Sequence, residues 1–353
     1  MPLFTGPVDD PLAFNNNPPM QNALDSTRQQ LSDAGTPTVD DLAVIVVALT
    51  GFEGGLNHPW AAIRDQDECY SASLIKTAAM YTAYDLRASA DQLAQDQGLT
   101  TWPAVEAALK ATFDPDIAAH TPSLINASTA LRAEDKNRRP DYSAVLKLGA
   151  PGGDFIVDFT PAQVSAFEDM MVQQNDPGAT TTIHGLGYPY LDGKIADDGL
   201  FDSTSSQGLW LAGDYAGIWP AARIPCVNDV DTAQGTTARQ LARLLTLLAD
   251  DKLVGPTSSQ GMKDLMARAG KLFASTTPPI WPPDGQFVAT HGKVGIGPLK
   301  TGQTVMSEGI LVSDTVRSRS FAVVYQNVVK DGLTQRDALV PVATLIEAAL
   351  NAF

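Results

Sequence analysis

The chain has 353 residues, 44% hydrophobic and only 18% charged, enough apolar material for one large domain or two intimate subdomains, which excludes a peptide scaffold or a disordered tail. Its 40 acidic against 24 basic residues leave a formal charge of −16, which argues against non-specific binding to nucleic acid or anionic lipid. Two cysteines, Cys69 and Cys226, build neither a disulfide framework nor a CxxC pair; a single bridge, implying an oxidising compartment, and two free thiols both stay open.

In chain order, Met1-Pro2-Leu3-Phe4 shows no cationic region followed by an apolar run, so a secretory signal was either removed or never present, and localisation stays open between export and cytoplasm. Residues 6–19 are rich in Pro, Asn and Asp and read as an irregular lead-in to a helix over about 20–34. Leu42 to Leu49 is a β-branched and leucine run suited to a strand covered on both faces, far short of the roughly 20 residues of a membrane helix. The turn-prone Gly51 to His58 then leads to an extended segment at Trp60 to Arg64, completing a hairpin.

From Ser73 to about Gln95 the chain lacks Gly and Pro and reads as a helix. Residues 100–235 hold further helices broken by long loops, and Thr237 with Gln240 forms a capping box ahead of Leu241, Leu244, Leu245 and Leu248 at helical spacing. Phe287 to Thr290, Gly309 to Ser313 and Phe321 to Val328 read as strands, and Val342, Leu345, Ile346 and Ala349 mark a closing helix. The fold class is therefore α+β: an antiparallel five-stranded sheet flanked by helices, its strands drawn from both ends of the chain, plus an all-helical subdomain. The expected division is a lead-in over 1–19, a sheet subdomain from 20–76 and 284–353, and a helical subdomain over 77–283.

The pattern most suggestive of chemistry is Ser73-Leu74-Ile75-Lys76, the only S-x-x-K in the chain. Three residues along a helix is just under one turn, so the amine can approach the hydroxyl. A serine needs a nearby base, and a desolvated lysine is neutral enough to be one. The helix N-terminus adds N–H groups where an oxyanion would develop. Downstream, Lys300-Thr301-Gly302-Gln303 closes an extended stretch that Gly309 to Ser313 meets as a hairpin.

Together these motifs resemble those of the penicillin-recognising serine hydrolases, the class A β-lactamases and the D-alanyl-D-alanine peptidases among the penicillin-binding proteins, over most of the chain from about Asp40. The resemblance implies that Ser73 is acylated and that Lys76 accepts its proton. It further implies that Lys300 and Thr301 hold a substrate carboxylate and that the N–H groups of Ser73 and Gln303 form the oxyanion hole. Lys293, in Thr290-His291-Gly292-Lys293-Val294-Gly295, is the alternative lysine, with valine where the family has a hydroxyl.

Two departures stand out. The middle motif of the family is absent as S-x-N, and Gln174-Asn175-Asp176 has its surroundings, with Gln174 and Asp176 in the places of serine and asparagine and Asn175 a candidate substrate-binding residue. No glutamate lies between Glu168 and Glu308, leaving Asp214, Asp229 and Asp231 as stand-ins for the base of the deacylating water. Impaired deacylation is the expectation.

His58, His120, His184 and His291 lack ligand spacing, and no cofactor or metal is expected. The expected partner is a small-molecule or peptide substrate, with no nucleic acid and no membrane span. The aromatics Tyr188, Tyr190, Trp210, Tyr215 and Trp219 either line a cleft or anchor irregular chain onto the core. The reading is a serine acyl-transfer hydrolase acting on an amide, ester or β-lactam; its alternative is a catalytically degenerate ligand-binding or interaction module of the same fold.

Overall fold

The computed structural model describes residues 3–353 apart from 14, 53–56, 151 and 154. Positions 53–56, inside the expected turn of residues 51–58, and the first two residues of the chain therefore lie outside the described residues.

The strand β1 (Ala43–Ala48) is buried at all six positions and occupies the interior of a five-stranded sheet. Its side chains alternate between two cores: Ala43, Ile45 and Val47 face one, and Val44, Val46 and Ala48 the other. A run of small and β-branched apolar residues is what a strand covered on both faces requires. It pairs antiparallel with β2 (Trp60–Ile63) on one side and with the late strand β5 (Arg319–Val329) on the other, Ile45 opposing Ala62 and Val324. The strands β3 (Phe287–Pro298) and β4 (Thr304–Asp314) complete the order β3-β4-β5-β1-β2. The strand β3 is thus an edge.

Helix α1 (Pro18–Asp33) begins with Asn17 accepting from the Met20 N–H, and packs with the terminal helix α7 (Gln335–Ala352) on one face of the sheet. Their apolar stripes, Met20 and Leu24 with Leu339, Val342 and Ile346, share a core with Val44 and Val46. The opposite face carries α6 (Ala238–Ala249), with Leu241, Leu244, Leu245 and Leu248 buried. Thr237 caps α6 by accepting from the Gln240 N–H at 3.3 Å. The reciprocal half of the expected capping box is missing, since the Gln240 side-chain oxygen is buried without a partner.

Several expectations are corrected in detail. The β3 strand runs eight residues beyond the predicted end at Thr290, because Gly292, Gly295 and Gly297 hide the strand signal in the sequence. The helix expected from Ser73 is a 3₁₀ turn (Ala72–Ile75) followed by α2 (Lys76–Asp96). The lead-in is irregular but firmly docked: Leu3, Phe4 and Leu12 are buried, and the Leu3 N–H donates to Asp116 at 2.8 Å on α3 (Trp102–His120). Cys69 is buried and Cys226 half-buried, and both are free thiols. Among the described residues no helix is long and apolar enough to cross a membrane.

Three carboxyl groups sit deep in this architecture. Burial pushes Glu308 up to about 7, Asp198 to about 7 and Asp192 to about 8. Glu308 is held by the Tyr325 hydroxyl at 2.7 Å and the Leu272 N–H, and Asp198 by Tyr81 and Lys194. Between pH 5 and 7 the folded chain keeps protons on these groups that the unfolded chain, with ordinary carboxyls, has released. Stability should therefore fall with rising pH across that window, by up to about 1.4 kcal/mol per pH unit for each group still protonated when folded. Urea midpoints at pH 5, 6 and 7 check this, and Glu308→Gln should flatten the slope; a midpoint that rises over the window contradicts it.

Candidate active site

Ser73 lies where β3, α2 and the loop preceding α6 meet. The residue before it, Ala72, has φ 50°, a left-handed conformation that costs a non-glycine residue about 1–3 kcal/mol. Ser73 is half-buried, whereas Ser71, Ala72, Leu74, Ile75 and Lys76 around it are buried. The Leu74 N–H makes the turn's first bond to the Ser71 carbonyl at 3.1 Å, so the Ser73 amide precedes the hydrogen-bonded ladder. A strained turn that lifts one hydroxyl partly clear of packed neighbours is a recurring geometry for a nucleophile.

Lys76 is fully buried at the start of α2. Its ammonium donates to Asp176 Oδ1 at 2.7 Å and to the Asn175 carbonyl at 3.3 Å, and lies 4.2 Å from the centroid of the Tyr215 ring. Burial lowers its pKa, and the Asp176 carboxylate opposes that fall. Asp176 opens α4 (Asp176–Leu186), and Asn175 caps that helix by accepting from the Gly178 N–H at 3.4 Å. Asn175 thus contributes its carbonyl to Lys76 while its side chain is spent on the cap and on Asp169. Gln174, at φ 58°, turns its amide to the Gly270 carbonyl at 3.5 Å.

Lys293 is the second buried amine. It stands in the middle of β3 with its Nζ unpartnered, and burial together with the nearby Lys76 charge pushes its pKa down to about 7. Alternation along the strand puts Gly295 and Gly297 on the same side as Lys293. A Cβ on Gly295 would sit 2.1 Å from the Ser71 carbonyl oxygen and 2.8 Å from the Leu74 amide, so the absence of a side chain is what lets the strand lie against the serine turn. Val294, opposite Glu308, faces the other core.

Lys300 is elsewhere, which corrects the preference for it over Lys293. Lys300-Thr301-Gly302 forms the tight turn between β3 and β4, with Gly302 at φ 88° and the Leu299 N–H bonded to the Gln303 carbonyl. The exposed Lys300 ammonium pairs with Asp231 at 2.5 Å, and its amide with Asp229 at 3.2 Å. Thr301 and Gln303 are exposed and bonded to each other at 3.3 Å. A literal Lys-Thr-Gly in a hairpin tip is turn chemistry, because glycine supplies the positive φ and polar residues the solvated flank.

The aspartates expected to replace a loop base are also committed. Asp214 accepts from His184 at 2.8 Å and from the Ile218 and Trp219 amides, while Asp229 and Asp231 serve Lys300. The loop instead brings Tyr215 to Lys76, and its hydroxyl donates to the Ala72 carbonyl at 2.9 Å. The other loop aromatics anchor chain: Tyr188, Tyr190 and Trp210 are fully buried, and Trp219 stacks on His184 at 3.7 Å. His58, His120 and His291 are likewise satisfied locally, by Ala48 and Asp250, by Asp116 and by Thr290.

No protein-family model and no curated protein sequence matches the chain. Among solved structures it is similar to a β-lactamase from Chitinophaga pinensis (TM-score 0.55, 13% identity, 92% of this chain and 99% of that one). A class A β-lactamase from Bacteroides cellulosilyticus (0.53, 13%, 96% and 99%) and PBP-A (0.51, 13%, 96% and 98%) are similar over the same extent. The fold is that of the class A β-lactamases and of PBP-A, in a divergent sequence.

The close approach at Gly295 gives a direct test of this geometry. Gly295→Ala must push the strand off the Ser71–Leu74 backbone, which should destabilise the chain by about 1–3 kcal/mol. Thermal melting checks the size of the loss. Ala289→Gly, farther along the same strand, serves as the control, and equal melting of Gly295→Ala and wild type would show that the contact is not tight.

Proposed function

We propose that the chain is a serine acyl-transfer hydrolase of the β-lactamase-like type, attacking an amide, ester or β-lactam carbonyl through Ser73 with Lys76 as proton acceptor and with slow deacylation. The observation that carries this reading is Ser73 on its strained turn, three residues before the buried Lys76 that Asp176 holds, and packed against the β3 segment that carries the buried, unpartnered Lys293. In the acylation step Ser73 Oγ bonds to the carbonyl carbon, the bond to the leaving nitrogen or oxygen breaks, and the Oγ proton passes through the amine to the leaving group. Burial lowers the Lys76 pKa against the opposing pull of Asp176, and it is the neutral fraction of Lys76 that accepts this proton. The Ser73 amide supplies one oxyanion donor. The free edge of β3 beside Gly295 supplies the second, in place of the Gln303 amide.

A fluorescent penicillin and an activated ester, followed by intact mass, test the reading: an adduct should form on wild type and be lost in Ser73→Ala. Absence of any adduct on wild type after long incubation would favour the degenerate module. That reading draws support from the lack of a hydroxyl at Gln174 and of a free loop carboxylate.

Lys293 is assigned the substrate carboxylate. Lys293→Ala should slow capture of carboxylate-bearing acyl donors at least about tenfold relative to neutral esters, the worth of one charge-assisted hydrogen bond, while Lys300→Ala discriminates little. Because Lys293 is cationic below about 7 and neutral above, the preference for carboxylate-bearing donors should decline from pH 6 to 8. Rates with paired charged and neutral donors measure both effects, and a preference that follows Lys300 instead would move the role to the hairpin.

A further inference from the structure

The loop that faces Lys76 presents a phenol, and its placement is tightly determined. Asp214, the preceding residue, accepts from the Ile218 and Trp219 amides and from His184, whose ring stacks on Trp219. Tyr215 itself spans from the Lys76 ammonium, 4.2 Å from its ring centroid, to the Ala72 carbonyl at 2.9 Å, one residue from Ser73. Its hydroxyl is already a donor there, and loss of hydration with Tyr70 and Asp176 nearby pushes its pKa well up, so it is neither a phenolate nor a base near neutrality.

Resting on the hydrolase reading, we propose that Tyr215 is the positioning residue that makes the acyl state outlast its formation. Once the leaving group has carried off the Oγ proton, the Tyr215 ring favours return of Lys76 to the ammonium form by a cation–π contact, and it occupies the loop position facing Lys76 where a carboxylate could otherwise act, while the Tyr215 hydroxyl braces the strained Ala72–Ser73 turn. Hydrolysis of the acyl-serine forms a bond from water oxygen to the acyl carbon, breaks the bond to Ser73 Oγ and returns one water proton to that oxygen. A base must take this proton first. The ring face offers no lone pair for it, and Lys76 in ammonium form cannot accept it.

Two variants test the assignment, each first checked for a native circular-dichroism spectrum. With the penicillin probe loaded and excess removed, Tyr215→Glu should shorten adduct lifetime at least about tenfold, the low end of what a positioned general base contributes. Tyr215→Ala opens the same position, and acetate added as an external base should speed adduct decay in proportion to its concentration in the variant but not in wild type. Acylation rates, measured separately, distinguish this from general damage, which would slow acylation without accelerating loss of the adduct. An adduct on folded Tyr215→Glu as long-lived as wild type's, together with no acetate dependence in Tyr215→Ala, overturns the proposal. Failure of wild type to acylate at all overturns the hydrolase reading instead.

Discussion

One carboxylate–ammonium contact organises the site: Asp176, itself exposed at the start of α4, holds the buried Lys76 at 2.7 Å, while a second buried lysine, Lys293, has no partner. An isolated ammonium in a dry interior costs several kcal/mol, so two buried lysines that feel each other's charge are tolerated only if one is paired and the other gives up its proton readily. That is the arrangement found. Lys76 takes the carboxylate and a carbonyl, and Lys293 is pushed down to about 7. Two neighbouring elements set this balance: α4 begins at Asp176, and the edge strand β3 carries Lys293 near its middle.

The approach of β3 is limited by backbone sterics. Gly295 clears the Ser71 carbonyl and Gly297 clears Tyr70, so Lys293 reaches the serine turn at the distance two bare strand positions permit. The turn is shaped in return: Ala72 is left-handed, and the Tyr215 hydroxyl on the Ala72 carbonyl stiffens that conformation. Strain at a single residue next to the half-buried hydroxyl persists because Ala72 is buried, bonded by Tyr215 and approached closely by Gly297.

Much of this was legible in the sequence where a local rule governs. The all-buried run at 43–48, the Thr237 cap and leucine stripe, and the S-x-x-K pair on adjacent turns follow from periodicity and capping, which single segments encode. For the lysine of the late strand the sequence favours Lys300 over Lys293, because a literal Lys-Thr-Gly at a hairpin tip competes with a strand whose glycines erase its own pattern. Tyr215 was visible only as one of several loop aromatics. What separates it from Trp210 or Tyr188 is a partner 139 positions away in sequence, at Lys76, and no local signal reports a contact of that range.

The same reasoning links the two departures at the middle motif and the loop. With the carboxylate of Asp176 on the Lys76 ammonium in the resting protein, the pair contributes no net charge, and the net charge of these three groups rests on Lys293 alone, +1 when protonated and 0 when not. A further carboxylate from the loop would pair with Lys293 and hold it protonated, leaving the site neutral with no amine unpartnered. A neutral aromatic at that position keeps Lys76 cationic through its ring face without adding negative charge. Tyr215 and Asp176 are therefore coupled choices: with the carboxylate at the mouth of α4, the loop opposite is best filled by a group that attracts a cation and carries none of its own charge.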